Sequence, residues 1–206
     1  MEPSSFIVTL PVWMDSFLSR FSFPMQSVED RMRFVIAMVC ENIKRKTGGP
    51  FAAAIFNRET GALIAPGVNR VVPLNCSIAH AEMVAIGLAQ QRLSTYDLGA
   101  AELPPLELVT STEPCAMCLG AVPWSGVRHL VCGATDSDAR EVGFDEGAKP
   151  ETWISDLISR GIQVETGICR EAAHKALLSY GNSGGVIYNG RADTSSSTGE
   201  SADDPA

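Results

Sequence analysis

His80-Ala81-Glu82 and, downstream, Pro114-Cys115-Ala116-Met117-Cys118 constrain the fold of this chain more than any other feature. One imidazole and two thiolates are ligand chemistry for zinc, and three protein ligands leave a fourth tetrahedral position open for water. Residues so distant in sequence share a metal only if their segments meet. Each motif stands at the start of a helical pattern, one running from about Ile78 to Leu93, the other opened by Pro114. Two helix starts facing each other at one edge of a sheet satisfy the requirement, and the positive end of a helix favours thiolate over thiol. Glu82 is not needed as a ligand and is placed to move protons beside the water.

Other chemistry uses parts of this pattern. A lone Cys-x-x-Cys is also a redox pair or half of a structural zinc site. Structural zinc takes four protein ligands. The fourth would have to come from Cys40, Cys76, Cys132, Cys169, His129 or His174, none of which has a ligand-pair spacing. The coincidence of both motifs at two helix starts favours the catalytic site. The bland alternative for Glu82 is a salt-bridged surface carboxylate.

The 206 residues fit one domain with appendages, and 45% of them are apolar. No apolar run approaches the ~20 residues that span a bilayer. Met1–Trp13 carries Glu2 and no basic residue, so it does not read as a secretory signal. A reducing, cytoplasmic setting is expected, with the six cysteines as metal ligands or free thiols. The net charge of −8 argues against a partner bound through phosphates and favours a small substrate.

The chain divides into an N-terminal extension (1–26), a main domain (27–191) and a tail (192–206) whose Ser/Asp/Glu/Gly composition predicts disorder. Ser27 followed by Asp30 resembles a capping box, and Val28, Met32, Val35, Ile36, Val39 and Ile43 repeat at helical spacing up to Arg45. Phe51–Phe56 and the stretch from Ala62 predict a hairpin. Strands are expected at Leu106–Thr110, Val127–Ala134 and Ile162–Thr166, with helices at Pro150–Arg160 and Arg170–Tyr180. Asn69–Cys76 and Asp136–Lys149 read as loops. Trp124, Cys40 and Cys132 fall in apolar patterns and are expected in the core, His129 and His174 as structural or solvated residues. Alternating helices and strands imply an α/β domain with helices on both faces of one sheet.

Five strings carry a resemblance: Gly48–Ala54, Gly67–Val72, Glu113–Ala121, Gly143–Gly147 and Gly185–Asn189. On them the chain resembles, from about residue 28 to 191, the cytidine-deaminase-like superfamily. Within it the chain is similar to bacterial guanine deaminases, closely to the subset that also acts on ammeline. The resemblance implies a three-layer α/β/α fold with a central mixed sheet of about five strands, and hydrolytic deamination of guanine to xanthine and ammonia. The zinc motifs are shared with cytidine, tRNA-adenosine and riboflavin-pathway deaminases; the Gly143-Phe144-Asp145-Glu146 stretch turns the expectation to guanine. Rival expectations are deamination of ammeline or guanosine, tRNA adenosine editing, and a zinc-binding protein without catalysis.

The resemblance also implies roles. His80, Cys115 and Cys118 would hold the zinc. Glu82 and Glu146 would be catalytic, the second helping protons reach the leaving amino group. Asn69, Phe51, Phe144, Ala81 and Tyr188 would meet the base. Asn69 is equally a residue type that caps its own turn, Phe51 and Phe144 suit a core, and Glu146 suits an exposed loop. The expected partners are a small nucleobase and a second copy of the chain, with no nucleic acid and no membrane. The arm at residues 181–191 would be exchanged with, or cap, the partner's site, placing Tyr188 there, or would pack on its own subunit.

Overall fold

A run of small residues after Pro50, Ala52-Ala53-Ala54, forms a strand that helices approach closely on both sides, and the sheet is built outward from it. The computed structural model describes residues 7–190. In chain order it contains α1 (Met14–Leu18), α2 (Val28–Lys44), β1 (Ala52–Asn57), β2 (Leu63–Val68), α3 (Val71–Leu74), α4 (Ala81–Leu93), β3 (Leu106–Thr112), α5 (Ala116–Ser125), β4 (His129–Ala134), α6 (Asp136–Val142), α7 (Trp153–Ser159), β5 (Gln163–Glu165) and α8 (Arg170–Asn182). The five strands make one sheet in the order β2-β1-β3-β4-β5. β1 is antiparallel to both β2 and β3, whereas β3, β4 and β5 run parallel. This is the mixed sheet the sequence led us to expect. The edge strand β2 carries Pro66 opposite Ala54.

Two apolar clusters lie on opposite faces of the sheet. One joins α1, α2 and α8 to Ala52, Ala54, Phe56, Val109 and Val131. The other joins α4, α5 and α7 to Ala53, Ile55, Leu108 and Leu130. Alternate residues of one strand thus feed different clusters, which is the period-2 geometry of a sheet covered on both faces. Gly67 in β2 shows how tightly α4 is laid down. A Cβ there would stand 2.3 Å from the Ala81 carbonyl oxygen and 2.6 Å from the Ala85 nitrogen. Only a residue without a side chain lets the first turn of α4 sit that close to β2.

Residues 7–26 pack onto the body through Trp13, Met14 and Phe17, which are buried against Phe34 of α2 and its neighbours. Residues 1–6 and 191–206, including the expected disordered tail, lie outside the described residues.

Several local expectations change. Ser27 caps α2 by accepting the Asp30 N–H at 3.1 Å, but Asp30 pairs with Arg33. Asn69–Cys76 is not wholly a loop, since α3 forms within it. Asp136–Lys149 opens with α6, capped by Thr135 and Asp138 in a reciprocal box, where its acidic residues suit a helix start. Trp124 is 88% exposed on the outer side of α5 instead of in the core. Cys40 is exposed because it shares a solvent-facing stripe of α2 with Arg33 and Lys44. Cys132 is buried. His129 is structural: its ring nitrogens lie 2.9 Å from Glu107 and 2.8 Å from Glu165, and Glu107 also pairs with Arg31 at 2.5 Å. Among the described residues no helix is long and apolar enough to cross a membrane.

Candidate metal centre and pocket

His80 is the N-cap of α4, Cys115 is the N-cap of α5, and Cys118 lies in the first turn of α5. Neither cap residue makes a side-chain hydrogen bond to its own helix, so both side chains are free to turn toward each other. The His80 Nδ1 stands 3.5 Å from each of the two sulfurs. Ligands at ~2.1 Å (nitrogen) and ~2.3 Å (sulfur) around a tetrahedral zinc are separated by about that distance. The donor set is therefore in a position to receive the ion. Its protonation points the same way. The Cys115 thiol is lowered to about 4, first by a hydrogen bond from Cys118 and then by His80, despite its burial. The Cys118 thiol is pushed up by giving that bond and by burial. One thiolate is preformed, and the second proton is the one a binding metal displaces.

The centre forms one end of a cavity of about 380 Å³, a size suited to a small-molecule ligand. Glu82, 6% exposed, and Glu146, 5% exposed, line it. Burial raises the Glu82 carboxyl, with the Cys115 thiolate adding to the effect. Burial likewise takes Glu146 up to about 8, assisted by the negative charges of Cys115 and Glu82. Glu146 is held by its backbone, whose carbonyl accepts the Ala116 N–H at 2.9 Å. Among the described residues no Lys or Arg lines the cavity, and Glu113 and Asp145 add acidic groups to its wall.

Asn69 closes the opposite side. Its Oδ1 accepts the Gly49 N–H at 3.3 Å and the Val71 N–H at 3.2 Å, while its Nδ2 donates to the Tyr188 hydroxyl. The turn-capping and pocket-facing roles of this residue therefore coexist. A buried chain holds it: Trp13 Nε1 donates to Thr47 at 2.8 Å, Thr47 donates to Asn42 at 2.7 Å, and the Asn42 amide donates to the Asn69 carbonyl at 3.2 Å. Gly48 completes the fit, since a Cβ there would come within 1.8 Å of the Asn69 carbonyl oxygen.

Phe51 and Phe144 meet edge to face with centroids 4.8 Å apart, and both line the cavity. Each belongs to the apolar cluster as well, so core and pocket are one surface here. Tyr188 lies across the mouth, its ring 5.7 Å from Phe144 and 6.0 Å from His80. In this single chain the arm thus packs on its own cavity. Of the residues expected at the site, Ala81 and Cys118 are fully buried and do not line the cavity; Cys118 joins the donor cluster behind it, whereas Ala81 stands apart. Asn42, Thr112 and Asn189 were not anticipated. Thr112 lines the cavity with a buried hydroxyl that has no partner among the described residues. Asn189 stands in a string already noted for its resemblance, but nothing local marked its contacts.

Comparison with known proteins agrees with this geometry. The family described as the cytidine and deoxycytidylate deaminase zinc-binding region matches residues 25–134. A guanine deaminase of Bacillus subtilis is 40% identical over 118 residues, which cover 57% of this chain and 71% of that protein. The solved structure of a guanine deaminase from Nitrosomonas europaea is similar with a TM-score of 0.83 and 48% identity, covering 88% of this chain and 99% of that one. A tRNA-specific adenosine deaminase of Rickettsia bellii is 33% identical over 88 residues, 43% of this chain and 57% of that protein.

Proposed function

The chain belongs to the cytidine and deoxycytidylate deaminase family, and from that premise we propose that it deaminates guanine, converting guanine and water to xanthine and ammonia. The observation that carries this reading is one cavity holding a three-donor metal site, two buried carboxyls of raised affinity for protons, and an amide on the facing wall.

His80, Cys115 and Cys118 would hold zinc, which when bound supplies the Lewis acidity that lets water lose a proton near neutral pH. Glu82 takes that proton and passes it to a ring nitrogen as the water oxygen adds to the carbon bearing the amino group. Glu146 works from the other side. Burial favours its protonated form, so it helps bring a proton to the amine as the carbon–nitrogen bond breaks. Two acids with separated tasks avoid asking one carboxylate to be in two places. The Asn69 amide and the Tyr188 hydroxyl to which its Nδ2 donates line the cavity together and offer their polar atoms to the base edge. Phe51 and Phe144 offer ring contacts.

Two features favour a free base over its nucleoside or an RNA strand. Tyr188 leaves little room at the mouth for a ribose, and the acidic residues in the walls disfavour phosphate. We also read the chain as a homodimer in which the arm at residues 181–191 caps a cavity of its own or of the partner subunit. Gly184, at φ +69, gives the arm a pivot just past α8.

The test is ammonia release by zinc-loaded protein from guanine, guanosine, adenine, cytosine, cytidine and ammeline. Guanine should be the best of the purines and pyrimidines, with ammeline the nearest competitor. Faster release from guanosine or adenine would overturn the assignment.

A further inference from the structure

Glu146 lies in a segment without secondary structure of its own, between the end of α6 and α7. Few contacts determine where its carboxyl stands. On one side Ala116, next to Cys115, donates to the Glu146 carbonyl at 2.9 Å. Arg140 donates to the Gly147 carbonyl at 3.1 Å, and Asp145 accepts the Gly147 N–H at 2.9 Å. Phe144 is buried and donates to the Ala139 carbonyl at 3.2 Å, Arg140 lies 3.7 Å from the Asp145 carboxylate, and the arm adds two further bonds. Asn189 Oδ1 accepts the Asp145 N–H at 2.8 Å, and its Nδ2 donates to the Gly143 carbonyl at 2.9 Å. One side-chain amide thus brackets Phe144 and ends at the residue before Glu146. A fixed pair of one acceptor and one donor is what an amide supplies and a carboxylate or hydroxyl does not match. The neighbouring Tyr188 reaches Asn69 on the far wall.

We propose that Asn189 is a positioning residue that couples docking of the arm to placement of Glu146. When the arm lies down, Tyr188 closes the mouth, and Asn189 draws the Gly143–Asp145 backbone into the conformation that aims Glu146 into the cavity. With the arm lifted, the segment loses both bonds and the acid is no longer held against the substrate. Closure and assembly of the proton donor are then one event, so a substrate is committed only once the cavity is covered. This rests on the role given to Glu146 above.

The experiment is a double-mutant cycle on the zinc-loaded full chain, read as the single-turnover rate with guanine. Asn189→Ala should slow the reaction about tenfold, in line with the cost of a misplaced reacting group. In a Glu146→Gln background the same substitution should cost less than about twofold, because the group it positions is gone. An equal loss in both backgrounds, or no loss in the first, overturns the proposal. Backbone amide exchange gives a second readout independent of turnover. Asn189→Ala should speed exchange at Asp145 and Gly147 while leaving α6 unchanged; unchanged exchange at Asp145 also overturns it. If the unaltered protein releases no ammonia from guanine, the assigned reaction fails, and the exchange measurement still decides whether the clasp exists.

Discussion

Glu82 and Glu146 share one cavity and differ in how they are held, so their removal should have different signatures. Glu82 sits in the first turn of α4, two residues from His80 but not itself one of the three clustered donors. Glu82→Gln should keep its full complement of zinc and lose about 10²–10⁴ in turnover, the range for a positioned acid–base group. Metal analysis beside an ammonia assay checks this, and a near-normal rate would remove Glu82 from the mechanism. Glu146 should act while protonated, so activity should fall as pH rises through its pKa. Burial is the main cause of the upward shift, and the Cys115 thiolate adds to it. Bound zinc offsets the thiolate and leaves the burial. The alkaline limb of the pH–rate profile should therefore lie above the ordinary value of 4.5 and no higher than about 8. Glu146→Gln should abolish that limb and leave zinc content intact; a limb that persists unchanged belongs to another group.

α6 shows what a helix needs beyond its own sequence. Asp138 caps it with Thr135 and accepts from Arg170 of α8 at 2.8 and 2.9 Å. Arg170, first among the causes, holds the Asp138 carboxyl below its usual range. A carboxyl depressed in the folded state contributes stability above its unfolded pKa, near 3.8, and loses it as pH falls through the folded value. Arg170 is 52% exposed, so solvent screening discounts the ion pair and the cap carries most of the effect. Asp138→Ala should cost about 1 kcal/mol at pH 7, or ~2–4 °C in Tm. The gap to the unaltered protein should narrow steadily in thermal melts taken into the acid range; a constant gap would show that charge is not involved. The same element shows why its region was misjudged from sequence. Asp136–Lys149 looks like an acidic loop, and its helix depends on a cap at Thr135 and a partner on α8. By contrast α2 was legible from six apolar residues at helical spacing, and the strands feeding both clusters from short apolar runs bounded by turn residues. The meeting of His80, Cys115 and Cys118 was legible because the two cysteines are neighbours on one turn and His80 opens a helix. Trp124 misled because α5 is apolar all round, so periodicity gave no inner face. Asn42 and Asn189 were not legible, since each meets its partners only after the chain has folded back across the sheet.

At the scale of the molecule, the sheet supplies a rigid frame, and the segments that cover the cavity lie outside it. Deleting residues 185–206 should leave zinc content and melting temperature near those of the full chain, because the buried residues of both apolar clusters remain and only the partly buried Tyr188 is lost from their edge. Activity should drop, and the comparison with a deletion of residues 192–206 alone assigns the loss to the arm; sedimentation of the full and the two truncated forms tests whether the chain dimerises and whether the arm contributes. Unchanged activity and assembly in the shorter chain would discard the capping role. The frame has one more consequence. Pro66 places a residue with no N–H to give in the edge strand β2, and the strand at the other edge, β5, spans only Gln163–Glu165. Neither border makes a good template for an extended peptide or for fibril growth, so self-association of the folded protein is steered toward its helical faces, and crowded or overexpressed preparations should resist amyloid-type deposition.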